Sequence, residues 1–168
     1  PWALQGSLSF QRACREHGVR LDWQGIIQPD ERAGKIAAVT DLCRQGEAYA
    51  ARLTRQRRPF LFLGGDHSNA MGIWKGAMSA LPKGQRLGLL WIDAHMDAHT
   101  FTSSHSGNIH GMPVAALLGQ ADSTLQSIYG EGPVLNPQDL VMLGIRSYED
   151  EEQALLNRAG VRVVKMSD

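Results

Sequence analysis

Five apolar, β-rich runs alternate with helix-patterned segments along these 168 residues, and that alternation restricts the fold more than any other feature. The runs are "VRLDW" (19–23), "PFLFLG" (59–64), "LGLLWID" (87–93), "LVMLGI" (140–145) and "VRVVKM" (161–166). Between them, helical periodicity covers "SLSFQRACREHG" up to Gly18, a long segment from "DERAGKIAAV" to about residue 58, a stretch at 68–81, "MPVAALLG" and "EDEEQALLNRAG". The near-continuous apolar character of "FLFL" and "LGLLWI" fits strands covered on both faces, as in a parallel sheet. Repeated βαβ units then predict an α/β fold: three layers, α/β/α, around a mostly parallel sheet with right-handed crossovers. In such sheets, ligands bind beyond the carboxyl ends of the strands.

No repeat, low-complexity tract or long linker divides the chain, so residues 1–168 read as a single domain. Its ends are abrupt. The sequence opens at "PWALQG" without a methionine and stops at "VVKMSD" straight after an apolar run, which reads as the central part of a domain truncated at both ends.

Composition narrows the partners. Lys plus Arg and Asp plus Glu number 17 each, so no net field draws the molecule to nucleic acid or to an anionic membrane. No apolar run approaches the roughly 20 residues that span a bilayer. A small-molecule partner is expected. Cys14 and Cys43, the only cysteines, form neither a CxxC pair nor a disulfide framework, which suits a reducing cytoplasm.

Two of the predicted strands end in ligand-type residues. "FLFLGGDHS" delivers Asp66 and His67, and "LLWIDAHMD" delivers Asp93, His95 and Asp97 at i, i+2 and i+4. In an extended chain residues two apart point the same way, so D-x-H-x-D presents carboxylate, imidazole and carboxylate along one side. Facing carboxylates repel unless a cation lies between them or one is protonated. With His67 added, two carboxylates and two imidazoles suit Mn, Zn or Fe better than Ca or Mg, which prefer oxygen alone. Downstream, Ser103, Ser104, Ser106 and Asn108 offer short hydrogen-bonding groups for a carboxylate or amine, and Gly107 and Gly111 permit close backbone approach. His110 is the natural proton carrier, since imidazole titrates near neutral pH.

In this order and at this spacing, "GGDHS", "DAHMDAHT" and "SGNIHGMP" resemble the ureohydrolases (arginase, agmatinase and relatives), which hydrolyse guanidino groups with two manganese ions; the last motif is most similar to arginase. The resemblance implies an arginase/deacetylase-like fold. It makes His67 the histidine on one manganese, His95 the histidine on the other, Asp93 the carboxylate bridging both, and Asp97 a ligand that also orients the attacking oxygen. His110 resembles the proton-shuttling histidine, and Ser106 and Asn108 the residues that hold the α-carboxylate and α-amino group of arginine. "GIRSYEDEE" resembles the later substrate loop, placing Glu149 opposite the α-amino group.

Two departures stand out. His99 occupies the position of an asparagine that binds the substrate carboxylate in typical arginases. The family's later D-x-D pair, two further ligands, is not reached by Ser167 and Asp168, so the cage carried here is expected to be half built. The resemblance implies a manganese-dependent hydrolase of L-arginine to L-ornithine and urea, cytoplasmic and homo-oligomeric as a trimer or hexamer. Alternatives are the same chemistry on agmatine, guanidinobutyrate or formiminoglutamate, or a non-catalytic ureohydrolase-like subunit.

Overall fold

A computed structural model of the chain describes residues 2–29, 32 and 34–167. Residues 30, 31 and 33, within the second helical segment expected from sequence, lie outside the described residues, as does Asp168.

Helix α1, Trp2–Glu16, ends where Gly18 takes a left-handed φ of 70° and the Val19 amide turns back to the Cys14 carbonyl at 2.8 Å. Helix α2, Lys35–Arg55, lies against α3, Ala70–Ser79. Glycine makes that approach possible. A Cβ on Gly72 would stand 2.6 Å from Cys43 Cα, and one on Gly76 would stand 2.8 Å from Glu47 Cα. Gly72→Ala therefore forces the two helices apart, and overpacking of this kind costs about 2 kcal/mol. The expected result is a melting temperature about 4–8 °C lower for a chain of this size, measured by circular dichroism; an unchanged value would mean that the helices part freely.

The sheet has three parallel strands in the order β1-β2-β3: β1 Leu89–Ile92, β2 Leu140–Ile145 and β3 Arg162–Lys165. Leu89 pairs with Leu140, Trp91 with Met142, and Val141 with Arg162. Helix α6, Asp150–Ala159, makes the β2–β3 crossover and stops at Gly160, which supplies the left-handed residue at its end. The fold is thus an incomplete α/β layer structure with a parallel sheet.

Three expectations need correction. Neither 19–23 nor 59–64 is a strand, because among the described residues neither has a neighbouring strand to take its amides and carbonyls. Leu61 is instead 68% exposed. The third concerns β1, which is covered on one face only. Leu89 and Trp91 enter the core with Met112, Val114 and Met142, whereas Leu90 and Ile92 are 56% and 73% exposed.

A helix absent from the sequence reading, α5 at Ser123–Tyr129, follows α4 at Pro113–Leu117. Asp122 caps it, accepting from the Leu125 amide at 3.0 Å, and its other carboxylate oxygen accepts from the Thr102 amide at 2.8 Å. Burial works against ionisation there, yet the amide and hydroxyl donors win and hold the carboxyl below its usual range.

Candidate metal centre

The centre assembles at the carboxyl end of β1. The Asp93 amide donates to the Leu143 carbonyl at 3.1 Å, so the aspartate leaves the sheet in register with β2. Beside it β2 is bulged at Gly144, whose left-handed φ of 83° favours a residue without a side chain. The chain then turns, and the Ala94 carbonyl accepts from both the Arg146 and Ser147 amides at 2.9 and 3.0 Å. Asp97 follows at a φ of +49°, a left-handed conformation that aspartate tolerates better than most residues.

His67 arrives from a short 3₁₀ turn, His67–Asn69, capped by Asp66, whose carboxylate accepts from the Ser68 amide at 2.8 Å and from the Ser68 hydroxyl. Its Nδ1 lies 2.6 Å from Asp97 Oδ2 and 3.0 Å from Asp93 Oδ2. The ring also meets Trp91 edge-on, with centroids 4.9 Å apart. The hydrogen bond to Asp97 raises the imidazole pKa; partial burial opposes it, and the charges of Asp97, Asp93 and Asp66 reinforce it. The imidazole of His67 thus gains affinity for a proton where two carboxylates converge.

That arrangement fits a cation. His67, Asp93 and Asp97 offer ligand atoms that all lie within 4.8 Å of one another, with Asp97 buried. One nitrogen and two oxygen donors suit a borderline dication such as Mn or Zn. His95 stands at the edge: Nδ1 is 3.5 Å from Asp93 Oδ1, and the side chain is well exposed.

The other sequence-predicted residues lie on the 99–108 loop, the turn that follows it and the start of α6. The turn Ile109–Gly111, which carries His110, packs against the turn that carries His67. Among the described residues, no hydrogen bond or ion pair joins His110 to the carboxylates. The serines shape the preceding loop: Ser104 Oγ accepts from the Gly107 amide at 3.1 Å and Ser106 Oγ from the Asn108 amide at 3.3 Å. Asn108 Oδ1 accepts from Lys35 Nζ at 3.4 Å.

His99 is buried, with both ring nitrogens occupied. Nδ1 lies 3.1 Å from Ser103 Oγ and Nε2 lies 3.2 Å from Glu149 Oε2. The sequence reading missed Glu152, which is also buried. One of its oxygens accepts from the Ala98 amide at 3.1 Å and the other from the Glu149 amide at 3.0 Å. Its place three residues after Glu149, the spacing of a capping box, was the available signal.

A cleft of about 1090 Å³ lies elsewhere, between α2 and the extended 59–64 stretch. It reaches Asp66 and Ser68 but neither Asp93 nor Asp97. The chemistry therefore sits beside the cleft rather than in it.

The sequence model of the Arginase family matches residues 4–168. The arginase of Bacillus caldovelox is 36% identical over 141 residues, covering 84% of this chain and 46% of its own length. The arginase of Bacillus subtilis is 39% identical over 108 residues, covering 64% of this chain and 36% of its own. Among solved structures, native B. caldovelox arginase superposes with a TM-score of 0.72 at 36% identity, over 88% of this chain and 47% of that one. A B. subtilis arginase reaches 0.80 at 30% identity, over 99% and 56%. The chain spans about half the length of the relatives it matches.

Proposed function

The chain belongs to the arginase family, and on that premise we propose that the protein hydrolyses a guanidino compound, L-arginine to L-ornithine and urea, with manganese held by His67, Asp93, His95 and Asp97. The observation that supports it best is the convergence of the Asp93 and Asp97 carboxylates on one nitrogen of His67, at 3.0 and 2.6 Å. Two manganese ions held there would supply Lewis acidity and lower the pKa of a water enough for it to attack the guanidinium carbon near neutral pH.

The remaining roles fall to this chain's own side chains. Asp97 accepts the proton of the attacking water and orients its oxygen. Departure of the amine requires a proton on the leaving nitrogen, and His110 delivers it from the turn packed against His67. Glu149 faces the substrate ammonium, while Ser104, Ser106 and Asn108 hold the carboxylate. His99 would otherwise share that last task, but with Nε2 on Glu149 and Nδ1 on Ser103 it holds Glu149 in place instead. In this reading residues 1–168 belong to one ureohydrolase-like domain of a cytoplasmic homo-oligomer.

Urea release by the intact protein with added manganese tests the proposal, using arginine, agmatine and guanidinobutyrate in parallel, with formamide release followed for formiminoglutamate, whose formimino carbon bears one nitrogen too few to give urea. Arginine should turn over fastest. Preference for agmatine would move the substrate assignment, and no release from any of them would favour a non-catalytic subunit. His110→Asn should lower kcat about 10²-fold, as for a removed acid–base group, with bound manganese unchanged by elemental analysis. Parallel loss of manganese would instead make His110 a ligand.

A further inference from the structure

A second group of ligand-type side chains, His105, Glu149 and Glu151, stands apart from the His67, Asp93 and Asp97 cluster. His105 Nε2 stands 3.5 Å from Glu149 Oε2 and 3.8 Å from Glu151 Oε1, and the three ligand atoms all lie within 4.8 Å of one another. These separations are too long for hydrogen bonds. Ligands bonded at about 2.0–2.2 Å with tetrahedral angles stand about 3.3–3.6 Å apart; the His105–Glu149 separation of 3.5 Å lies in that range and the His105–Glu151 separation of 3.8 Å is slightly wider.

Charge points the same way. Glu149, Glu151 and Glu152 crowd the start of α6, and among the described residues their ion-pair partners are imidazoles, with no lysine or arginine. His99 fixes one side of the group: buried, with Nδ1 on Ser103, it directs Nε2 at the same Glu149 oxygen that His105 faces. Glu149 thus cannot swing away without breaking that contact, and His105 and Glu151 remain open to solvent.

We propose that His105, Glu149 and Glu151 form a second, inhibitory binding site for a borderline dication of the zinc type. Imidazole with two carboxylates is a donor set for zinc rather than for calcium or magnesium. Three ligands on an exposed rim leave the remaining positions to water, so binding is reversible. Inhibition follows from sharing: a cation on Glu149 withdraws that carboxylate from the substrate ammonium. This second step rests on the guanidino-hydrolase reading, whereas cation binding does not.

The test separates the two. Zinc is titrated into the untagged Asp97→Asn protein, where the main centre is weakened, while the His105 imidazole resonances are followed by NMR. They should shift saturably, and adding His105→Ala and Glu151→Gln together should weaken zinc uptake at that site at least tenfold by calorimetry. Resonances of His105 that stay fixed up to millimolar zinc, or equal calorimetric uptake in both proteins, overturn the site. In the manganese-loaded protein with native Asp97, zinc should raise the KM for arginine several-fold, and the His105→Ala, Glu151→Gln pair should abolish that rise. An equal zinc effect on KM in both proteins overturns the inhibitory role. Absence of urea release overturns the hydrolase reading, and the NMR titration still decides the cation site.

Discussion

Replacing Asp97 with asparagine is expected to lower manganese affinity by at least about 100-fold and to bring the pKa of His67 down toward its ordinary value. Losing a residue that merely supports a ligand costs 10–100-fold in metal affinity, so removing a charged ligand sets that range as a floor. Equilibrium dialysis against manganese with elemental analysis measures it. Asparagine is the informative substitute because it also tolerates the left-handed φ of 49° at this position, which keeps the backbone in place. The imidazole shift has a definite sign. The Asp97 hydrogen bond, with the flanking carboxylate charges, raises the folded-state pKa of His67 against opposing burial. In the metal-free protein the pairing therefore stabilises the fold fully below the ordinary histidine pKa of about 6.5 and loses that contribution as pH rises through the raised value. Metal binding runs oppositely, since the proton on His67 must leave, so affinity should climb over the same window. A variant that binds manganese as the parent does would place the cation elsewhere.

Much of this arrangement was legible in the sequence because it is local. Strand β2 and helix α6 are short-range patterns with their own stop signals; D-x-H-x-D marks the ligand types at the end of β1 but not their geometry, since the chain bends at Ala94 and His95, Asp97 takes a left-handed φ of 49° and His95 is left at the edge. The runs 19–23 and 59–64 carry the same apolar signature, yet a strand is defined by its neighbour, and sequence composition says nothing about who that neighbour is. Hence Leu61 and Ile92, read as buried on both faces, are exposed. Helix α5 escaped notice because seven residues give barely two turns of periodicity, leaving Asp122 as its only clear marker. Glu152 and His105 were hidden for a different reason. Their meaning lies in what faces them across 54 and 44 positions of chain, Ala98 for the first and Glu149 for the second, and no local pattern records such a meeting.

Glu152→Ala is expected to be the most damaging substitution away from the metal ligands, destabilising the protein by about 3 kcal/mol. Glu152 is 5% exposed, and its carboxylate bonds two amides from separate loops, that of Ala98 beside Asp97 and that of Glu149 at the start of α6. An unsatisfied buried donor costs about 1–3 kcal/mol; the Ala98 amide, on a residue only 1% exposed, would bear most of that, and loss of the α6 cap adds about 1 kcal/mol. For a domain of this length the melting temperature should fall by about 6–12 °C. Glu152→Gln separates geometry from charge: its amide oxygen can still accept from one of the two donors, so its loss should be about half as large. The consequence for function follows from which loops are joined. With Glu152 gone, the link between the Asp97 and Glu149 segments falls to His99 and to the Ala94 carbonyl that receives the Arg146 and Ser147 amides, beyond the strand pairing itself. The metal side and the substrate side should then drift relative to each other, raising the KM for arginine at temperatures where the variant is still fully folded. A variant with the expected loss of stability but an unaltered KM would show that Glu152 supports the fold and leaves the register between the two loops to Ala94.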